Sequence, residues 1–580
     1  MCFSKLLYKF HYIEGEKGRI GYMRENVLSL LDQNTKLYGE RIALGKRNKY
    51  GWKELTYKGL GLLTKQFASY LITDLQMQKG ERLAILSESM PEMGACLFAA
   101  VISGMVTVPL DNKLTIYELV SILSSCQPSV LAVSQANLEK GLELQKKISS
   151  IKHIIIMDEP RYDSEYPSLY TLPSGRECKW RHRSLKDTAL IIYTSGTTGA
   201  PKGVQTTFGN MTTQVLEMSK ILPEVLPHEN VNLLSILPMN HLFELTVGFS
   251  TFLNRGSSIF YPQSLKPKDV LGDMREKKID FMIVVPAFLK LLKNTIEADI
   301  RMLPTEEKLL FERSYAAAEY ITDYNIKRQL FRSILAKFGG NFYGFMTGGA
   351  PLDPTVGEFF ERIGIKVFQC YGLSETSPII SVDRGNDRKL MSVGPVLDSY
   401  DAKIDEETGE LMVKGPSVMK GYYNNPEKTA EVLEADGWLH TGDIGEFDSD
   451  GRLYITGRIK NMIVLSGGKK VFPEEVEAVL EGDSNFAEVC VFGATRTSGA
   501  KDGTEEIMTV VVPTEEIMQK YPNDEELESF VTQEVKNLSV QLAPYKRPVN
   551  IVVRKEPLPR TATRKVKRNV VKEQTLAQHV

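Results

Sequence analysis

The stretch Leu190-Ile-Ile-Tyr193-Thr194-Ser195-Gly196-Thr197-Thr198-Gly199-Ala-Pro201-Lys202-Gly203-Val204 narrows the folds open to this chain more than any other. Its apolar start reads as the end of a buried strand. That strand runs into seven consecutive small or hydroxylated residues, then a proline and a lysine. Glycines let backbone N–H groups converge without Cβ clashes, and the hydroxyls add donors able to wrap around an oxyanion. Lys202 supplies a mobile point charge suited to a polyphosphate. This is the composition of a phosphate cradle, but not of the P-loop, whose lysine follows a glycine and precedes Ser or Thr. Here Pro201 precedes the lysine and Gly203 follows it. A solvated Gly/Thr linker has the same composition; the buried-looking strand before it and the lysine after it argue against one.

Strand-like runs alternate with helical patterns on both sides of the cradle. Tyr57 to Leu75 shows helical spacing and Gly80 to Leu86 turns into a short strand. A helix from Pro91 to Gly104 leads to a strand at Thr107–Leu110. A helix around Ile116 to Ser125 precedes the strand Val130–Val133, and Ile151 to Met157 is another strand. After the cradle, Ser235 to His241 reads as a strand ending in a polar turn, and Phe281 to Val285 as a buried strand. Residues 293–338 form a long helical excursion before Phe342–Met346 resumes the pattern. Such alternation predicts parallel sheets with crossover helices. At 580 residues the chain needs a large domain plus at least one more. The boundary is expected after Gly457-Arg458-Ile459-Lys460. Gly437 to Gly451, upstream, is dense in turn residues. Downstream, helices at Pro473–Leu480 and Glu525–Leu538 and strands at Ala487–Phe492, Met508–Val512 and Val549–Arg554 form an α+β pattern. The expected fold is therefore α/β: a large N-terminal domain of βα units with parallel-type sheets (1–459), and a small mobile α+β C-terminal lid domain (460–580).

Composition excludes several functions. Hydrophobic residues make up 42 % and charged residues 25 %, as in soluble globular proteins, and a formal net charge of −2 gives no global pull toward nucleic acid. The six cysteines are scattered without a CxxC pair, which fits reduced thiols in the cytoplasm and offers no zinc cluster. Lys5 and Lys9 interrupt any signal-peptide core, and a docking terminal helix is expected there. Met93 to Leu110 is nearly long enough to span a bilayer, but its glycines and Pro109 read better as a helix followed by a buried strand. Eight Lys or Arg between Arg554 and Lys572 raise a basic tail for nucleic acid; no aromatics interleave them, and that reading is set aside.

Four further constellations carry chemistry. Thr347-Gly348-Gly349-Ala350-Pro351-Leu352 places glycines after a strand, suiting backbone approach to a flat ligand or a tight turn alone. In Gln369-Cys-Tyr371-Gly372-Leu-Ser374-Glu375-Thr376, Tyr371 offers a stacking plane and Glu375 a hard oxygen ligand for Mg²⁺ on phosphates. Gly437-Trp-Leu-His440-Thr-Gly-Asp443 puts a carboxylate on a glycine turn, with Arg458 fifteen residues on. Near the C-terminus, Thr563-Arg564-Lys565 presents a lysine in a basic loop.

Together these elements resemble the signatures of the adenylate-forming superfamily, which includes acyl- and aryl-CoA synthetases, peptide-synthetase adenylation domains and luciferases. The resemblance extends over essentially the whole chain after about residue 25. It implies that Thr194, Ser195, Gly196, Thr197, Thr198 and Lys202 hold ATP phosphates, and that Gly349, Ala350 and Pro351 lie along adenine. It also places Gln369, Tyr371, Gly372 and Ser374 at the nucleotide, Glu375 on Mg²⁺, and Asp443 and Arg458 on ribose. Ser374 replaces the usual threonine and keeps its hydroxyl. Lys460 falls at the hinge about which the family's small domain swings. Ser466, Gly467 and Lys469 would then face the pantetheine channel. Lys565 matches the lysine that reaches the carboxylate and α-phosphate, with Arg564 standing where relatives place glycine. His241 resembles the aromatic gate beside the acyl carboxylate. The catalytic set implied is Lys565, Glu375, Thr194 and His241.

The helical excursion and the Gly-Gly-Ala-Pro-Leu-Asp spelling at 348–353 resemble bacterial long-chain fatty acyl-CoA synthetases. The resemblance thus implies ATP-dependent activation of a fatty acid to acyl-AMP, then transfer to CoA. Rival readings are transfer to acyl carrier protein, arrest at acyl-AMP, a luciferase-like oxidase, and a catalytically idle acyl- or nucleotide-binding regulator. A fatty substrate further implies peripheral contact with the inner membrane face.

Overall fold

The computed structural model describes residues 29–160, 165–173, 179–194, 201–465, 469–495, 505–561 and 565–578. The terminal helix expected before residue 25 lies outside them, as do Ser195, Gly196, Thr197, Thr198, Ser466, Gly467 and Arg564.

Among the described residues, two large sheets share one core. The first runs, strand by strand, Ile379–Val382, Lys366–Gly372, Gly344–Gly348, Phe281–Val284, Asn232–Ser235, Ser258–Tyr261, Ile42–Asn48 and Gly51–Thr56. The second runs Gly421–Tyr422, Lys202–Thr207, Thr188–Thr194, Val106–Asp111, Arg82–Ser87, Val130–Val133 and His153–Ile156. Interior pairings are parallel, as the βα alternation predicts, and antiparallel pairs stand at the margins. Period-two burial sorts the side chains. Leu83 and Ile85 face the shared core, whereas Ala84 and Leu86 face helices on the outer side. Phe281 and Ile283 likewise join the shared core, while Met282 and Val284 pack beneath the helical excursion. Helices Tyr57–Ser69, Pro91–Ser103 and Phe208–Val225 fill the layer between the sheets. The near-spanning stretch is thus the helix Pro91–Ser103 and the strand Val106–Asp111. Among the described residues no helix is long and apolar enough to cross a membrane.

The excursion comprises helices Pro286–Arg301, Thr305–Ala317, Tyr324–Leu330 and Arg332–Lys337. Its inner face joins a run of aromatic contacts from Phe311 and Tyr315 through Phe359, Phe360 and Phe345 to Phe342.

One local expectation fails. Gly437 to Gly451 is not a string of turns: Leu439–Phe447 is a nine-residue strand in a four-stranded antiparallel sheet with Leu453–Arg458, Glu410–Lys414 and Asp401–Ile404. Its inward positions are Leu439, Thr441, Asp443 and Gly445. The alternation is real, but polar and small residues occupy the inward side and conceal it.

Beyond residue 460 a separate core forms. Strands Phe486–Thr495, Glu505–Pro513 and Asn550–Val553 make a sheet. Helices Pro473–Glu481 and Asp524–Leu538 pack on one face through Val476, Leu480, Leu527, Val531 and Val535. The helix Arg568–Gln578 covers the other through Val571.

Candidate active site

The strands on either side of the glycine-rich stretch lie next to each other in the second sheet. Thr188–Thr194 pairs antiparallel with Lys202–Thr207, and Thr194 stands opposite Lys202. Leu190, Ile191 and Ile192 are buried, which fixes the hairpin stem in the second sheet. A Cβ on Gly203 would sit 2.8 Å from Ile191 and 3.0 Å from the Tyr193 ring, so only glycine fits beside Lys202.

Glu375 lies in the short 3₁₀ turn Ser374–Thr376, directly after the strand Lys366–Gly372. Its Oε1 accepts a hydrogen bond from the Tyr422 hydroxyl at 2.8 Å. The Lys202 ammonium rests 4.9 Å from the centre of the same Tyr422 ring. Among the described residues Glu375 has no ion-pair partner, so its charge is available to a hard cation arriving with phosphates. No group of three or more His, Cys, Asp or Glu able to hold a metal occurs among the described residues. Tyr422 escaped the sequence reading because its strand, Gly421–Tyr422, is too short to show a period.

Asp443 is 1 % exposed and sits at the centre of a second cluster. Tyr371 donates its hydroxyl to Oδ2 at 2.7 Å, and Arg458 Nε pairs with Oδ1 at 2.7 Å. Asp443 and Arg458 are register partners on adjacent strands, which places the carboxylate and guanidinium side by side. Burial pushes the Asp443 carboxyl above its usual range, against the opposing pull of Arg458 and Tyr371. Gly442, at φ +72°, turns the backbone so that its N–H donates to Glu410 Oε1 at 2.7 Å. His440 braces Glu410 through Nδ1 and Glu434 through Nε2, each at 2.9 Å. Burial lowers the His440 pKa, but those two carboxylates outweigh it and hold the ring above its usual value. Glu410 was missed because it belongs to no motif, and His440, though inside the Gly437–Asp443 motif, was given no role there.

Lys565, in the C-terminal part of the chain, lies near enough for Asp443 and Arg458 to act on its charge. Its backbone is pinned to Thr561, whose hydroxyl accepts from Lys565 N at 3.1 Å and whose N–H donates to Lys565 O at 2.8 Å. The residue is exposed, yet protein surrounds its ammonium closely enough to desolvate it. That crowding, and then the like charge of Arg458, bring the ammonium down to about 8, with Asp443 opposing. His241 feels the Lys565 charge, along with Asp111 and Lys113. Burial lowers its pKa, and its Nε2 is sealed from solvent without a partner among the described residues. Directly after it runs a nine-residue π-helix, Phe243–Thr251, in which Ser250 and Thr251 donate to the carbonyls of Leu245 and Thr246. Glu244, fully buried there, accepts from Ser235 at 2.6 Å; burial raises it to about 8, so it is protonated at neutral pH.

Other expected residues fall variously. Gly349, at φ +83°, Ala350 and Pro351 are exposed at the end of the strand Gly344–Gly348. Gly372 admits no side chain, since a Cβ would meet Pro378 O. Gln369 is 6 % exposed and its amide donates to Leu390 O and Ser392 O. It supports the chain behind the site instead of offering that donor to a nucleotide. Lys469 stands on the Ile463–Val464/Lys470–Val471 hairpin, 4.4 Å from the Tyr545 ring centre, with no contact to Asp443, Glu375 or Lys565 among the described residues.

The chain matches the AMP-binding enzyme family over residues 31–423 and the AMP-binding enzyme C-terminal domain over 475–565. It is 30 % identical over 513 residues to fatty acyl-CoA synthetase A of Dictyostelium discoideum, covering 83 % of this chain and 74 % of that one. It is 28 % identical over 464 residues to the long-chain-fatty-acid–CoA ligase FadD15 of Mycobacterium bovis, covering 76 % of each. Among solved structures, the anthranilate CoA ligase AuaEII in complex with anthranoyl-AMP superposes with a TM-score of 0.77 at 21 % identity, over 96 % of this chain and 98 % of that one. With its two-sheet fold and matches that span most of its length, the chain belongs to the family of AMP-binding enzymes.

Proposed function

We propose that this protein activates a long-chain fatty acid with ATP and passes the acyl group to CoA. The carrying observation is that Tyr371, Asp443 and Arg458 form one bonded cluster, with Lys565 from the small domain close enough to feel the charges of Asp443 and Arg458. The names of its relatives supply the substrate class: a fatty acyl-CoA synthetase and a long-chain-fatty-acid–CoA ligase.

In the first step the fatty carboxylate oxygen attacks the α-phosphorus of ATP and pyrophosphate leaves, giving acyl-AMP. Negative charge gathers on the phosphoryl oxygens, and catalysis consists of positioning and electrostatic stabilisation. Lys202 and the hairpin hold the polyphosphate, Lys565 faces the carboxylate and α-phosphate, and Asp443 and Arg458 take the ribose. Asp443 meets Arg458 through both oxygens and Tyr371 through Oδ2, and an ionised carboxylate keeps further lone pairs for hydroxyl donors. Glu375 would hold Mg²⁺ carried on the phosphates, and that ion when bound adds positive charge against them. A neutral His241 beside the carboxylate adds no charge that would compete with Lys565. In the second step the CoA thiolate attacks the acyl carbonyl carbon and AMP leaves with the bonding pair. A swing about Lys460 would withdraw Lys565 and admit the Lys469 hairpin. The buried free thiols of Cys96, Cys126, Cys370 and Cys490 support a reducing, cytoplasmic setting.

The test is release of pyrophosphate and AMP from Mg-ATP with acids from acetate to oleate, with and without CoA. Products with long acids, and acyl-CoA only when CoA is present, are expected. Pyrophosphate without acyl-CoA would move the acceptor to a carrier-protein thiol; silence with every acid would sink the reading.

A further inference from the structure

Lys202 and Glu375 carry opposite charges in one site, yet they do not pair. Between them stands Tyr422, 6 % exposed, whose hydroxyl is bonded to Glu375 and whose ring face carries the Lys202 ammonium. The backbone fixes this arrangement from several directions. Tyr422 stands opposite Val204 in the sheet, two residues beyond Lys202, and Tyr423 N donates to Gly203 O at 2.7 Å. Met419 N donates to Glu375 O at 2.7 Å, tying the same segment to the Glu375 turn. Tyr422 N donates to the Thr429 hydroxyl, and Gly421, at φ +140°, leaves no Cβ to strike that threonine. One short segment therefore grips both the exit of the phosphate hairpin and the carboxylate turn.

We propose that Tyr422 is a positioning residue, which keeps Lys202 and Glu375 from neutralising each other and aims both at one metal-bound polyphosphate. The proposal rests on the nucleotide assignment above. A direct Lys202–Glu375 ion pair would remove the charge each needs: the lysine for phosphate oxygens, the glutamate for the cation. The phenol meets both at once, because its hydroxyl donates to a carboxylate while its π face attracts an ammonium.

The experiment is equilibrium binding of ATP and of AMP to the full chain, without fatty acid, in the presence and absence of Mg²⁺. Tyr422→Phe keeps the ring and deletes the donor. It is expected to bind metal-free ATP as the wild type does, but to lose about tenfold of the tightening that Mg²⁺ brings. Tyr422→Leu deletes both functions and should also weaken metal-free ATP by about three-fold. AMP binding, which depends on the Asp443 side, should be unchanged in both and reports that the site is folded. In a double-mutant cycle, Tyr422→Phe should add nothing to Glu375→Gln. Equal Mg²⁺ tightening in wild type and Tyr422→Phe would overturn the proposal, as would a wild type that Mg²⁺ does not tighten. Parallel loss of AMP and ATP binding would reduce Tyr422 to a structural role and overturn it too. Because no acid takes part, an error in the substrate class appears only in the release assay and leaves this result readable.

Discussion

The Asp443 corner and the Lys565 loop face the same space and are built in opposite ways. Asp443 is buried, shared between Tyr371 and Arg458, and backed through Gly442 by Glu410 and His440. Lys565 is exposed and tied to its own domain by two hydrogen bonds to Thr561. Groups required in both half-reactions gain from rigidity, since nothing need be reorganised when charge develops. A cation wanted in only one half-reaction gains from a mount that can leave. On the proposed reading, the contrast separates a fixed nucleotide clamp from a removable charge.

Four experiments strain that separation, from the largest expected effect to the smallest. Lys565→Ala should slow pyrophosphate release by about 10²–10³-fold while sparing thioester formation from supplied acyl-AMP. Equal loss of both would put Lys565 on the fixed side. Asp443→Ala should instead weaken ATP and AMP alike, by about tenfold or more, because Arg458 and Tyr371 lose their shared acceptor. AMP affinity measured by calorimetry at one salt concentration decides it.

The third is a pH profile. Lys565 titrates near 8 and acts as an ammonium, so its charged fraction falls as pH rises. The kcat/KM for pyrophosphate release should therefore decline above about pH 8, and Lys565→Arg should flatten that limb. A limb that survives the arginine belongs to another group. The fourth effect is small. The His440 pKa is raised in the fold, so its contribution to stability is complete below the unfolded value and is lost as pH climbs through the folded one. With His440 and Glu434 partly exposed, His440→Gln should cost less than about 1 kcal/mol at pH 6, and less still at pH 9, by thermal unfolding.

Much of this architecture is written in local patterns. The buried runs at 83–86, 130–133 and 281–284 each have four apolar residues and become four buried positions. Their flanking helices show apolar spacing that leaves little alternative. Asp443, Arg458, Glu375 and Tyr371 were legible because each sits inside a spelled motif. The strand Leu439–Phe447 was not, since its inward face is Leu, Thr, Asp and Gly, and hydrophobic periodicity cannot register a polar interior. Tyr422 and Glu410 were hidden for another reason. Their partners lie 47 and 32 residues away, and a pair so separated leaves no local trace. Gln369 shows the reverse limit: a motif names the residue, but not that its amide is bonded to Leu390 O and Ser392 O.

The two-residue strand Gly421–Tyr422 has a consequence for biosynthesis. It is the outermost strand on its side of the seven-stranded sheet and covers the hairpin strand Lys202–Thr207. Until residue 421 is made, that hairpin presents a bare row of amide and carbonyl groups, the kind of margin on which chains aggregate. Thr207 precedes Gly421 by 214 residues, which at ribosomal speeds is roughly ten to forty seconds. For that interval the nascent chain holds an uncapped seam, and early chaperone engagement is the expected price of closing a sheet from so far along the chain.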